Sequence, residues 1–358
     1  MCGTAAMRSM TDDRPAHQAD AALILRLAQA GVAVVVAGFG VGRVVRNYLE
    51  ADLTLNAGIH FGVDEAVYFA DPCPSPSFTQ SLAKVILDKS PRHAWLKSPQ
   101  LNPDWEPGDA DGYDADRAIG NAAHAYMLGR GKKVEVMKFA NFRTKDAQEI
   151  RNEAMNAGRV PILPHHSERA NEMVDRATDQ LDQRGLLHIF GSANGASEVV
   201  IACQYGGVWI RAMVDWLSHD NTIIADYKTG GMNCAPHAID AKMKSSGVEI
   251  QAAMHELILD TIDPDNAGRR QHIFVFQENE APYALNAFPL SEEWMVYGRK
   301  QLAMAFDIWR ECLSLKRWPL YPVDSGCPPY PGYQGSKVLG REIAHEERRI
   351  SADHLMGG

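Results

Sequence analysis

The chain has 358 residues, 46% of them hydrophobic and 23% charged, with 36 Lys and Arg against 45 Asp and Glu for a formal charge of -9. This is ordinary globular composition, enough for one large domain or two small ones. The acid excess excludes a protein coated in phosphate-binding surface, so nucleic-acid contacts, if any, belong in a local groove or channel.

The first 56 residues read as a separate extension. They hold a helix-like stretch, "ADAALILRLAQAG", and the apolar run "AGVAVVVAGFGVG", too short to span a bilayer and preceded by acids rather than a basic cluster. A soluble chain working in the cytoplasm is expected. Gly38, Gly40 and Gly42 with Asp52 downstream hint at a dinucleotide site, but Arg43 stands where the third glycine of G-x-G-x-x-G belongs, and no βα series follows. A structural role is preferred.

Residues 57–322 read as the main domain. "DPCPSPSFTQSLAKVILDKSPRHAWLKSP" opens a helix from a Ser77 or Thr79 cap, with Leu82, Val85 and Ile86 on one side. A Pro, Asp and Gly loop then leads to the helix "AIGNAAHAYMLGRG". Two more helices follow, "TKDAQEIRNEAMNAG" and "SERANEMVDRATDQLDQRG". Next come three strands, the helix "GVEIQAAMHELILDTI", the strand "QHIFVFQ" and the long helix "SEEWMVYGRKQLAMAFDIWRECLSL". The Pro- and Gly-rich tail, residues 323–358, is expected to be irregular. The order gives an α/β (α+β) fold with a short mixed sheet between helices. The six cysteines lack any C-x-x-C pair, which disfavours a zinc ribbon, an iron-sulfur cluster or a disulfide framework.

The three strands carry the chemistry. A Gly206-Gly207 turn pairs Tyr205 with Val208 and so sets Glu198 opposite Asp215. A second turn over Ser218–Asn221 pairs Asp215 with Ile224, and a period of two then places Asp226 and Lys228 on the same face. Like charges opposed across a sheet are destabilising. A solvated polar face with a Lys-Asp pair is the plain reading of any one acid. For the set, on a largely apolar strand, a divalent cation held by oxygens is preferred.

Asp215 followed by "D226-Y-K228" resembles the PD-(D/E)XK nuclease superfamily. The ordered motifs "SPRHAWLK", "IGNAAHAYML", "SEVVI", "GVWIRAMVDWL", "IADYKTG" and "VEIQAAM" make the chain similar to RecE-type, exodeoxyribonuclease VIII-like exonucleases with the RecB-like nuclease fold, over residues 58–322. The resemblance implies a metal held by His124, Asp215, Asp226 and the main-chain carbonyl of Tyr227. Mg²⁺ is the expected ion, and Mn²⁺ suits the same shell. It implies further that Glu198 places a second cation or the attacking water, that Lys228 positions that water beside the phosphate, and that Gln251 lies near the lysine and the DNA. His255 stands one turn later, where the family often has an aromatic residue. Arg211, Lys242 and Lys244 are candidate phosphate contacts.

The activity implied is hydrolysis of linear double-stranded DNA from its ends, 5′ to 3′, by a ring-shaped homo-oligomer beside a single-strand annealing protein in phage or bacterial recombination. A ring lined by basic residues would reconcile the acidic chain with DNA. The rivals are an endonuclease of the same superfamily, a non-catalytic DNA-binding or assembly subunit, and, more remotely, a nucleotide-binding oxidoreductase.

Overall fold

The computed structural model describes residues 54–106, 112–321 and 338–347. The helix and glycine run expected near the start lie outside the described residues.

The described strands are β1 (Gly58–His60), β2 (Val134–Val136), β3 (Val160–Ile162), β4 (Gly195–Tyr205), β5 (Val208–Ser218), β6 (Ile223–Gly230), β7 (Gln271–Glu278) and β8 (Leu285–Pro289). The helices are α1 (Glu65–Phe69), α2 (Gln80–Asp88), α3 (Pro91–Leu96), α4 (Ala115–Leu128), α5 (Lys145–Asn156), α6 (Pro164–Asp182), α7 (Ile239–Ser246), α8 (Val248–Ile262) and α9 (Glu292–Leu315). Residues 338–347 are also helical, a correction to the irregular tail read from its composition. None of the described helices is long and apolar enough to cross a membrane.

The main sheet runs β1-β4-β5-β6-β7-β8, with β2 and β3 forming a separate parallel pair. β6 and β7 are parallel, and the other neighbours in the main sheet are antiparallel. A parallel neighbour requires a crossover, which α7 and α8 supply. Both faces of the sheet are covered. On one, Val199, Ile201, Ile210 and Val214 pack against Met254 of α8, Trp309 of α9 and Leu82 of α2. On the other, Trp216, Ala225, Tyr227 and Val275 pack against Leu128 of α4 and Leu181 of α6.

Local signals account for the helices that carry function. Thr79 accepts the Leu82 N–H at 3.3 Å and starts α2, and Asp114 accepts the Arg117 N–H at 2.7 Å and starts α4. Gly129 in a left-handed conformation closes α4.

Candidate active site

The first hairpin follows the expected register, with Tyr205 opposite Val208 and a constant offset through Val199↔Val214 and Ser197↔Trp216. Glu198 falls opposite Asp215 in that series, but its backbone is left-handed (φ 51°) and it leaves the ladder. For a glutamate such a conformation costs on the order of 1–3 kcal/mol. The side-chain alternation slips by one at the same place. Val199 and Val214 face the α8 side, and so do Ala196 and Leu217, each three residues away from its partner in phase.

The second turn differs from expectation. Leu217 pairs with Ile224 and Trp216 with Ala225, so the register is shifted by two and Asp215 is set towards Asp226 rather than Ile224. The reason is the Ser218 hydroxyl, which accepts the Thr222 and Ile223 N–H groups and donates to Asp220, holding a loop of His219–Thr222. A slip of two keeps each side chain on its own face.

Beyond Trp216↔Ala225 the described β5–β6 pairing stops. There the Tyr227 N–H donates to Asp215 Oδ2 at 3.0 Å, so a carboxylate takes the place of a strand partner. The site occupies this split. From the α4 layer His124 Nε2 lies 3.2 Å from the same Asp215 oxygen, its ring stacked over Tyr227. From the opposite layer Gln251 of α8 donates to Asp226 Oδ2, while Lys228 Nζ sits 2.6 Å from Asp226 Oδ1. Asp215, Asp226 and Lys228 are brought to this split, with their partners arriving from both faces of the sheet rather than lining one.

The electrostatics are those of an overcrowded pair of acids. Burial would raise the Asp215 carboxyl, but His124, with help from Lys228 and the Tyr227 N–H, brings it down to about 2. Asp226, 3% exposed, is raised by burial and then by Asp215, and Lys228 does not fully offset this. Burial lowers His124 and Lys228, but the neighbouring aspartates outweigh it and hold both above their ordinary values. Burial also raises Glu198.

Two supports were not visible in the sequence reading. Gly120 lets α4 lie on β6, since a Cβ there would stand 2.7 Å from Thr229 Oγ1. Gln277, fully buried, accepts from the Tyr227 hydroxyl and donates to the Met173 carbonyl at 2.8 Å, bracing the residue between Asp226 and Lys228. A glutamine inside the apolar strand "HIFVFQ" was the available signal. Lys84 of α2 is a third addition. Its ammonium donates to the Ser246 carbonyl at 2.8 Å, and burial followed by the nearby Lys228 lowers its pKa.

Two expectations fail or weaken. Arg211 is not a phosphate contact: it is 4% exposed, pairs with Asp71 at 2.8 Å, donates to Ser77 and the Tyr68 carbonyl, and lies over the Tyr68 ring. Sharing strand phase with Asp215 placed it beneath α1, inside the protein. Lys242 and Lys244 lie on α7, and Lys244 is engaged by Asp240 at 2.7 Å. His255 is buried and stacked on His272, with no hydrogen-bond partner for either ring nitrogen among the described residues.

The profile of the PDDEXK-like domain of unknown function (DUF3799) matches residues 85–327, more than half of the chain. The chain belongs to this family. Membership supports nuclease activity and a divalent metal in general terms. No curated protein matches the chain. Among solved structures, it is similar to a protein from Eubacterium rectale that carries a provisional assignment as an exonuclease, at 12% identity and TM-score 0.45, covering 74% of this chain and 97% of that one. It is also similar to the protein SSO0001, at 11% identity and TM-score 0.24, covering 66% and 86%.

The donors fit a divalent cation by their chemistry. Two carboxylates and an imidazole flank one split, the Tyr227 main-chain N–H bonds to Asp215 there, and the buried Asp226 Oδ1 has Lys228 as its one partner among the described residues. Among the described residues no three His, Cys, Asp or Glu side chains stand in a ligand-like cluster, because His124 and Asp215 hold one another while Asp226 is held by Lys228 and Gln251.

Proposed function

We propose that the chain is a metal-dependent exodeoxyribonuclease that hydrolyses linear double-stranded DNA from its ends. The observation that carries this reading is Asp226, buried between Lys228 and Gln251 and set towards a second carboxylate. Lys228 and His124 offset the two acids only in part, since Asp226 stays raised beside Asp215, and a further positive species between them is favoured. The RecE-type resemblance supplies the finer terms: 5′ to 3′ digestion, a ring-shaped homo-oligomer around the duplex, a single-strand annealing partner and a cytoplasmic setting in recombination.

His124, Asp215, Asp226 and the Tyr227 carbonyl would hold Mg²⁺, or Mn²⁺ in its place. When bound, the ion supplies a Lewis acid for the phosphoryl oxygen and lowers the pKa of a water. Lys228, an ammonium held on Asp226, faces the charge that develops on the phosphate. Glu198, near enough to Asp215 and His124 to feel their charge, would help place the attacking water. Gln251 fixes the orientation of Asp226 by hydrogen bonding to the oxygen that Lys228 does not use.

The test compares linear duplex labelled at either end, matched closed-circular DNA and single strands, each with Mg²⁺. Loss of the linear duplex alone, with the 5′ label released first, is the expected result. Cutting of closed circles would replace this reading by an endonuclease, and no hydrolysis of any substrate by a protein that binds DNA would replace it by a non-catalytic subunit.

A further inference from the structure

The segment between α4 and α5 is the most basic part of this acidic chain. Residues 129–145 contain Arg130, Lys132, Lys133, Lys138, Arg143 and Lys145 against the single acid Glu135, a local balance of +5 where the whole chain carries -9. All six cations are exposed. Glu135 is taken by Arg159, just before β3, so it neutralises none of them. Lys132 lies 3.6 Å from Glu65, and Lys145 lies 3.6 Å from Glu149. Arg130, Lys133, Lys138 and Arg143 have no ion-pair partner among the described residues.

This ridge is joined to the site. Gly131 packs against Glu198 so closely that a Cβ would stand 2.7 Å from Glu198 Oε1, and its φ of 110° suits glycine alone. Arg130 is near enough to lower the Glu198 carboxyl against the effect of burial. From that anchor the chain runs through β2, whose parallel pairing with β3 keeps it extended and rigid. Lys133 and Lys138 are therefore separated by at most about 17 Å, a span over which one DNA strand presents about five phosphates.

We propose that residues 130–143 form the track that receives the phosphate backbone of the nucleic acid and leads it to the Asp215–Asp226 split, with Lys133, Lys138 and Arg143 as phosphate contacts. The proposal rests on the nuclease reading for its ligand and deepens it by naming where the substrate lies. It answers how an acidic protein engages a polyanion: the cations are concentrated on one ridge beside the site. Such contacts position the substrate without reading its sequence.

The test measures binding, in chelator, of a fluorescent 30-base-pair duplex and of one of its strands over a salt series. It uses the full chain, the triple variant Lys133→Gln, Lys138→Gln, Arg143→Gln, and a control with the same charge change at the exposed Lys89, Arg269 and Lys316. Each lost phosphate contact lowers the slope of log affinity against log salt by about 0.9 for duplex and about 0.7 for a single strand. The ridge variant is expected to lose a slope of about 2–3, and the control less than 1. Which of the two probes shows the larger loss identifies the form of backbone held there. Equal losses in ridge and control variants, or no binding by the wild-type chain at low salt, would overturn the proposal. Wild-type binding with a ridge-dependent slope but no hydrolysis in Mg²⁺ would sink the nuclease reading and leave the track standing.

Discussion

Two aspartates are buried among the described residues, Asp71 in the loop after α1 and Asp226 on β6, and they are treated in opposite ways. Asp71 has both oxygens occupied: Oδ2 accepts the Ser77 N–H at 2.9 Å, while Oδ1 accepts the Ser77 hydroxyl at 2.7 Å and meets Arg211 at 2.8 Å. Arg211 is in turn satisfied by Ser77, the Tyr68 carbonyl and the Tyr68 ring. Asp226 has one oxygen on Gln251, the other on Lys228 alone, and a second aspartate beside it. The first network is complete and reads as architecture. The second is left in electrostatic conflict, the condition in which a bound cation has most to contribute.

Breaking the comparison at Lys228 should give the largest effect. Lys228→Ala is expected to lower the rate of duplex hydrolysis on the order of 10²–10³-fold, the range seen when a group facing transition-state charge is removed. Single-turnover kinetics checks this. At the other network the effect should fall on stability. Arg211→Met leaves Asp71 buried and unpaired and should cost about 3–5 kcal/mol, read by urea denaturation, while the folded fraction still cleaves DNA.

Smaller changes sharpen the contrast. Gly120→Ala pushes α4 off Thr229, so overpacking of about 1–3 kcal/mol is expected together with slower cleavage, because His124 sits one turn further along the same helix. The His255 and His272 pair should make stability depend on pH. Burial lowers His255 to about 4 from an ordinary 6.5, and His272 is lowered in the same direction. Between those values the unfolded chain binds the proton and the native chain does not. Stability is therefore full above pH 6.5 and declines as pH falls towards 4, by up to about 1.4 kcal/mol per pH unit for each histidine. His255→Leu should flatten that slope in thermal melts. The smallest effect is expected for Asp226→Asn, which removes the repulsion with Asp215: the melting temperature should hold or rise, where Asp71→Asn should lower it.

Much of this was legible in the sequence because its signals were local. The Gly206-Gly207 turn set the first hairpin, the cap at Thr79 set α2, and D-x-K with the preceding Asp215 marked the candidate site. The errors arose where side chains overrode period. Ser218 reshaped the second turn, and the break at Glu198 ended the simple alternation, so a same-face argument brought Asp215, Asp226 and Lys228 together through a geometry the sheet does not have. Arg211 shows the limit of phase alone, since sharing a strand face with Asp215 says nothing about which helix covers that face. Lys84 and Gln277 act across 162 and 50 residues of sequence, distances over which spacing carries no information.

The most direct test of the central claim is hydrolysis of an end-labelled linear duplex by wild-type and Lys228→Ala protein, each with Mg²⁺ and with chelator. The account predicts nucleotide release by the wild-type protein in Mg²⁺ alone, with chelator abolishing it and the substitution slowing it on the order of 10²–10³-fold. Equal release by the variant, or release that persists in chelator, would contradict a metal-dependent site built around Asp226 and Lys228.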